Sequence, residues 1–222
     1  MSDNAPATTT ALPLLPSPTV QAERLVELGV HEIAGLDAAA LRDFARTAEE
    51  TAGAGALLAV HPDRAPASAL APLLHRDGRA GFVVVDMTDV DLFAPVDAVT
   101  DLPDAPLYLV ESPDRGDEMA NWSPDEALSA LTERGRTPLL LTEGIHWVLH
   151  QPAALDRNHC FMTIGSRLRR ANGSLDARTP AIWISNGTGR DGSERRGAPK
   201  VGWCWAGNRH TWLGFGSTAG RL

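Results

Sequence analysis

The sequence predicts an α+β fold, a single domain with a helical, mixed α/β half first and a strand-rich half last. Three observations lead there. Up to about residue 150, apolar residues recur at helical spacing behind capping residues. From Asn158 onward the texture changes to short β-branched and aromatic runs separated by Gly- and Arg-rich loops. The size fits one unit: 222 residues, 43% hydrophobic and 22% charged, enough to bury about 70% of the unfolded surface without a disulfide or a metal.

Residues 1–18, with a Thr run and Pro6, Pro13, Pro16 and Pro18, read as a disordered tail, leaving 19–222 as the domain. TVQAERLVELGV then forms a helix that Thr19 caps and Gly29 stops. Asp37 caps a second helix, DAAALRDFARTAEE, and ALLAV (56–60) is a short buried strand. PASALAPLLHRDGRAG is a helical stretch broken by Pro72 and closed by a turn. FVVVDM (82–87) has the strongest strand pattern and reads as an internal strand, and LYLVE (107–111) is a third. In SPDEALSALTERG, Ser123 and Glu126 make a capping box around Pro124, and Gly135 ends the helix. TPLLLTEGIHWVLH gives another short helix capped by Thr142, with Gly144 as its weak point. FMTIG (161–165), PAIWIS (180–185) and KVGWCW (200–205) are strands of a meander or hairpins packed under the helices.

Several function classes lose support at this level. The start has no basic and apolar leader, and no run of about 18 apolar residues offers a membrane span, so the cytoplasm is expected and no membrane partner. Two cysteines, Cys160 and Cys204, make no disulfide framework. The net charge of −8 is uneven. Residues 81–126 hold twelve acids against the single base Arg115, whereas residues 157–222 hold ten arginines and Lys200 against three acids. Such halves face each other, or are both solvated, or leave the C-terminal one open to a small anionic ligand or a protein partner. Nucleic acid is disfavoured, because the aromatics sit in runs that read as buried and the protein is acidic.

The densest chemistry lies in VGWCWAGNRHTWL (201–213). On a strand, Val201, Trp203 and Trp205 share one face, and Gly202, Cys204 and Ala206 the other. Cys204 is the candidate nucleophile, with His210, folded back by the Gly207-Asn208 turn, or His159 as its base. Asn158 or Asn208 would orient the imidazole, and Arg167 or Arg209 would anchor a carboxylate or phosphate. Trp203 and Trp205 complete the ligand-binding set. His159, Cys160, Cys204 and His210 could instead hold zinc or another transition metal, although their spacing lacks the usual paired ligands; no other cofactor is expected. Three further patterns read as ordinary structure. GTGRDG at 187–192 follows a strand but leads into no helix, so it is a hairpin loop. Glu143, His146 and His150 share a helix face without the H-E-x-x-H order. Asp86, Asp89 and Asp91 form a solvated acidic loop.

The segments TEGIHWVLHQPAALDRNHCFMTIGSR, PAIWIS and APKVGWCWAGNRHTWLG resemble an actinobacterial family known only as domain of unknown function 5701. The resemblance extends upstream through FVVVDMTDVDLFAPVDAV and LYLVESPDRGDEMANWSPDEAL, covering roughly residues 20–220, and 188–197 look like an insertion in the family pattern. It implies a cytoplasmic bacterial protein and carries no activity or catalytic residue with it. Two readings of function follow: a small-molecule-binding protein or enzyme with a Cys/His/Arg site beside the Trp-rich strand, or a non-catalytic interaction module in which the Trp/Cys cluster is core.

Overall fold

Helix α1 (Pro18–Glu27) turns one face inward through Gln21, Ala22 and Leu25, in a computed structural model that describes residues 12–222. Ser17 rather than Thr19 occupies the N-cap position, and Pro18 starts the helix. Gly29, at φ 71°, ends that run and leads into the single turn α2 (Val30–Ile33). Asp37 caps α3 (Ala38–Thr51), its carboxylate accepting the Ala39 N–H at 2.7 Å. Residues 12–17 do not belong to a free tail: Leu15 is buried, and Gln151 Nε2 donates to Pro13 O at 2.6 Å. The expectation for residues 1–11 lies outside the described residues.

Strand β1 (Leu57–Val60) is buried along its whole length. It is followed by the single turn α4 (Ala67–Leu70) and by a hairpin of β2 (His75–Arg76) and β3 (Arg79–Ala80). FVVVDM departs from the sequence expectation. Only β4 (Phe82–Val83) pairs, parallel to a later strand, at the edge of its sheet. The chain then turns, with Met87 N donating to Val84 O, and Val85 stands 56% exposed. An apolar run reports a wish for burial without saying whether pairing or a turn will satisfy it. After β5 (Phe93–Pro95) comes β6 (Leu107–Glu111), the centre of a three-stranded sheet whose order is β1, β6 and, from the end of the chain, β14.

The capping box forms as read: Ser123 and Glu126 close the start of α5 (Pro124–Glu133). A short β7 (Thr137–Pro138) leads to α6 (Leu141–His150), which buries every residue but its last. Glu143, not Thr142, caps α6, its Oε2 accepting the Leu140 N–H at 2.8 Å; the Thr142 hydroxyl is buried without a partner. The glycine that weakens the helix pattern is required by packing. A Cβ on Gly144 would lie 2.6 Å from Thr163 Cγ2 and 3.1 Å from Ile182 Cδ1, so only glycine lets α6 lie this close to the second sheet.

The rest of the chain supplies β8 (Cys160–Met162), β9 (Ser166–Leu168), β10 (Arg178–Ile184), β11 (Pro199–Trp205), β12 (Leu213–Phe215), β13 (Ser217–Thr218) and β14 (Gly220–Arg221), and the second sheet takes β8, β10, β11 and β12 from these. Five strands run in the order β12, β8, β10, β11, β4. The β10–β11 hairpin pairs antiparallel over seven residues, while β12 joins β8 in parallel. β9 pairs with β5, β13 with β7, and β14 with β6. The last three strands have no counterpart in the sequence reading, since two- and three-residue strands among glycines carry no measurable alternation. The fold class is the α+β expected, and no described helix is long and apolar enough to cross a membrane.

Between the two sheets α6 carries a buried ion cluster. Arg221 Nε and Nη2 donate to the two oxygens of Glu143 at 2.6 and 2.8 Å, and both side chains are fully buried. Arg221 Nη1 reaches Asp101 at 2.7 Å and Nη2 also donates to Pro138 O. Tyr108 donates its hydroxyl to Glu143 at 2.9 Å. Burial, reinforced by the Glu143 charge, holds the Tyr108 hydroxyl well above its ordinary pKa. Burial works against the Arg221 charge, yet hydrogen bonding and attraction to Glu143 keep the guanidinium above its usual value. The free edge of β1 is closed by side chains: Gln21 Oε1 accepts Leu58 N–H, and His146 Nε2 accepts Val60 N–H. His146 Nδ1 meets Thr142 O at 2.8 Å, so the ring is neutral with its proton on Nδ1. Both nitrogens of His150 are buried without partners.

Two predictions follow from these groups. Arg221→Met leaves Glu143 buried without its cation and is expected to cost about 3–5 kcal/mol, whereas the paired change Arg221→Met with Glu143→Gln restores part of that loss; urea denaturation of the three proteins measures the difference. Burial lowers the pKa of His146 to about 4 and, together with the neighbouring His146, that of His150 to about 3. The unfolded chain takes up these protons near pH 6.5, so their contribution is complete above that pH and is lost as pH falls. The expected slope is about 2.5 kcal/mol per pH unit between pH 6 and 5 for the two groups together; urea denaturation across that range measures it, and it should flatten in His146→Gln/His150→Leu.

Candidate functional site

The residues with chemistry gather around one turn. Asp156 and His159 exchange backbone hydrogen bonds at 3.1 and 2.9 Å, with Arg157 and Asn158 at the tip. Asn158 takes φ 66°, a left-handed conformation that asparagine tolerates better than other residues with a Cβ. The turn hangs from α6 through a single 3-10 turn, Pro152–Ala154, and feeds directly into β8. It has a concave surface on each side.

On the first side lies a cleft of about 630 Å³. His75, Arg76, Arg115, Leu155, Asp156 and His159 line it, and Leu12 and Pro13 separate it from a second cleft of about 430 Å³. Arg115 is spent on structure: Nε and Nη2 grip Asp117, and Nη1 donates to the carbonyls of Ala154 and His159 at 3.2 and 3.4 Å. The next residue, Gly116 at φ 67°, passes so near β12 that a Cβ would stand 2.5 Å from Phe215 O. Asp117 Oδ2 then lies 3.5 Å from His159 Nδ1. The order is a clamped guanidinium, a carboxylate and an imidazole. A carboxylate beside Nδ1 favours the proton there and leaves Nε2 as the basic nitrogen.

On the second side Trp183 and Trp212 wall a smaller cleft of about 240 Å³, with Cys160 at its base and Arg157, Asn158 and Asn186 around it. The two indoles meet edge-to-face, centroids 6.3 Å apart, and the His210 ring packs 5.4 Å from Trp212. Lys200 Nζ sits 4.8 Å over Trp183, held by Asp191 at 2.8 Å, and Asp191 also accepts the Ser185 hydroxyl.

The residues singled out in the sequence divide accordingly. Asn158, His159 and Cys160 share one turn, and His210 approaches it only by way of Trp212, whose carbonyl accepts the Cys160 N–H and whose ring packs on the His210 imidazole. Cys204 stays apart. It lies opposite Thr179, while the Cys160 position aligns with Trp183 and Lys200 across β10. Two strand spacings and four residues separate the thiols by about 16 Å. Burial raises both thiols to about 11, so neither is a thiolate at neutral pH. Cys160 Sγ instead donates to Asp156 O at 3.4 Å. Burial also lowers the His210 pKa, and its Nε2 is buried without a partner.

Arg167, on β9, gives Nη2 to Asp176 O, and burial lowers its pKa. Arg209 is taken up by Glu126 and Asn121 O, and Asn208 shapes the turn by donating its backbone N–H to Trp205 O. Trp203 and Trp205 stack edge-to-face at 4.6 Å beside Val201, as alternation requires, with Trp205 half-exposed. Among the described residues no group of three or more His, Cys, Asp or Glu is placed to hold a metal ion. Glu143 is engaged by Arg221 and His146 by the β1 edge. The GTGRDG stretch is the β10–β11 hairpin loop, pinned by the buried Asp191. Sequence reasoning passed over Trp183, Trp212, Arg76 and Asp117. Arg115 alone carried a signal, as the one base in a long acidic stretch.

Comparison with known proteins adds a relation and no activity. A family model described as a family of unknown function (DUF5701) matches residues 24–222. No curated protein and no solved structure matches the chain.

The thiol environment is directly measurable. In the folded protein at pH 8, Cys160 and Cys204 are expected to react with an aromatic disulfide reagent at least a hundredfold more slowly than in urea; equal rates would restore Cys204 as a nucleophile.

Proposed function

The chain belongs to DUF5701, a family of unknown function, and we propose that this protein binds a small anionic molecule in the cleft beside His159. The observation that carries the reading is the Arg115–Asp117–His159 series beside that cleft: Arg115 and His159 line it, and Asp117, which lines the neighbouring cleft, connects the two from behind. The buried Arg115 fixes the orientation of Asp117 and therefore the side of the His159 ring that the carboxylate meets. The volume of about 630 Å³ is within the ordinary range for small-molecule sites. Arg76, part-exposed at the rim and paired among the described residues with Asp77 alone, supplies the cation for a carboxylate or phosphate. Pro152, Ala153 and Leu155 supply an apolar wall for the remainder of the ligand.

Among the described residues, those lining this cleft include no Ser, Thr or Cys. Chemistry there would be proton transfer to or from the bound molecule or a water, with His159 as the base. Two free cysteines suit a reducing compartment, which supports a cytoplasmic setting. A second reading, a protein-interaction surface, draws support from Trp205, half-exposed beside Trp203.

Calorimetric titration with n-hexyl phosphate, hexanoate and n-hexanol tests the main reading. The two anions are expected to bind and the alcohol not. Arg76→Ala and His159→Gln should each weaken the anions about tenfold, or about 1.4 kcal/mol. Equal affinities in wild type and both variants would refute the site.

A further inference from the structure

We propose that the cleft between Trp183 and Trp212 is a second, separate binding site, for a flat aromatic anion. It shares no lining residue with the His159 cleft, since Asp156 and His159 face one side of the turn and Arg157, Asn158 and Cys160 the other. Its volume of about 240 Å³ accommodates a single or fused ring and little more.

The walls are made for a planar guest. Both indoles are only part-buried, so each keeps aromatic surface open. In an edge-to-face pair the ring that offers its edge keeps its own faces out of that contact, which is the geometry a stacking guest requires. Trp183 is also held in place: a Cβ on Gly202 would stand 2.6 Å from its Cη2, so the glycine makes the seat for the ring. Lys200, the only lysine in the chain, lies over the same ring and is anchored by Asp191. A preorganised aromatic wall loses little freedom when a ligand stacks on it.

The polar groups around the cleft are mostly donors. Among the described residues, neither the Trp183 nor the Trp212 indole N–H has an acceptor; the Trp147 indole donates to Gln151. Asn186 commits its oxygen to Thr188, leaving its amide N–H₂ to donate. Arg157 has no ion pair among the described residues and stands at the turn tip. Aromatic walls with surplus donors and one free cation suit a planar ring rich in acceptors and carrying a negative charge. Cys160, whose thiol is protonated, makes the base of the cleft a neutral, soft surface and not a reactive one.

Nicotinate and cyclohexanecarboxylate form the test pair, alike in charge and size and different in planarity. In ¹H–¹⁵N spectra of the full chain, nicotinate is expected to shift two of the six indole N–H signals, and cyclohexanecarboxylate to bind at least tenfold more weakly. Trp212→Leu and, on the exposed turn, Arg157→Ala should each reduce nicotinate affinity at least tenfold. Arg76→Ala, in the other cleft, should leave it unchanged, so failure of one site is distinguishable from failure of the other. The proposal is overturned if nicotinate shifts no indole signal, if the saturated acid binds equally well, or if Arg157→Ala binds as wild type does.

Discussion

The pairing of Arg221 with Glu143 is the constraint on which the remaining architecture turns. A carboxylate and a guanidinium with no solvent exposure are tolerable only when nearly every lone pair and proton is satisfied. Here the satisfaction comes from five separate segments. Glu143 caps α6 and accepts the Tyr108 hydroxyl on β6, while Arg221 on β14 reaches Asp101 and the carbonyl of Pro138. Removing either charge leaves the other uncompensated in the interior, and removing a neutral partner leaves a lone pair or proton unsatisfied, so these segments are fixed relative to one another as a set. The pair therefore contributes position more than net stability, because two well-packed apolar residues of the same volume would cost less to bury.

What it positions is α6, and α6 positions the turn. The helix runs between the two sheets, its Gly144 side against Thr163 and Ile182 and its His146 side against the β1 edge. At its end the chain has only the Pro152–Ala154 turn before Asp156. Arg115 then secures the same place from the opposite direction, through the carbonyls of Ala154 and His159. The close passage of Gly116 by Phe215 places Arg115 against β12, the strand that follows Trp212. Both clefts thus belong to one rigid junction where the end of α6, the start of β8 and the approach to β12 converge.

Local chemistry was legible in the sequence and distant pairing was not. The Ser123–Glu126 box, the Asp37 cap and the alternation of Val201, Gly202 and Trp203 are short-range patterns, and each forms as its residues dictate. The acidic and basic halves do face each other, through Asp86–Arg190, Asp89–Arg178, Asp97–Arg169, Asp101–Arg221 and Glu126–Arg209. Composition could announce complementarity; only the fold assigns partners. FVVVDM shows the opposite case, a strong local pattern cut short because the chain turns at Val84 to Met87. The site follows the same rule. His159 and Cys160 stood out by residue type, but their neighbours come from residues 76, 115, 117, 183 and 212, set by a parallel β8–β12 pairing that no spacing along the chain encodes.

The difference in character between the two clefts has a local origin. A two-residue turn sends the side chains of its tip away from those of its base, and the left-handed Asn158 sharpens that separation. Asp156 and His159, at the base, face the acid–base environment created by Arg115 and Asp117. Arg157 and Asn158, at the tip, line the cleft that Trp183 and Trp212 wall. Four consecutive residues thereby supply ionisable groups to one concavity and hydrogen-bond donors to another. Because β8 begins at Cys160, any movement of the turn would disturb the register with β10 and β12, so the two chemistries are held apart by the same backbone that brings them close.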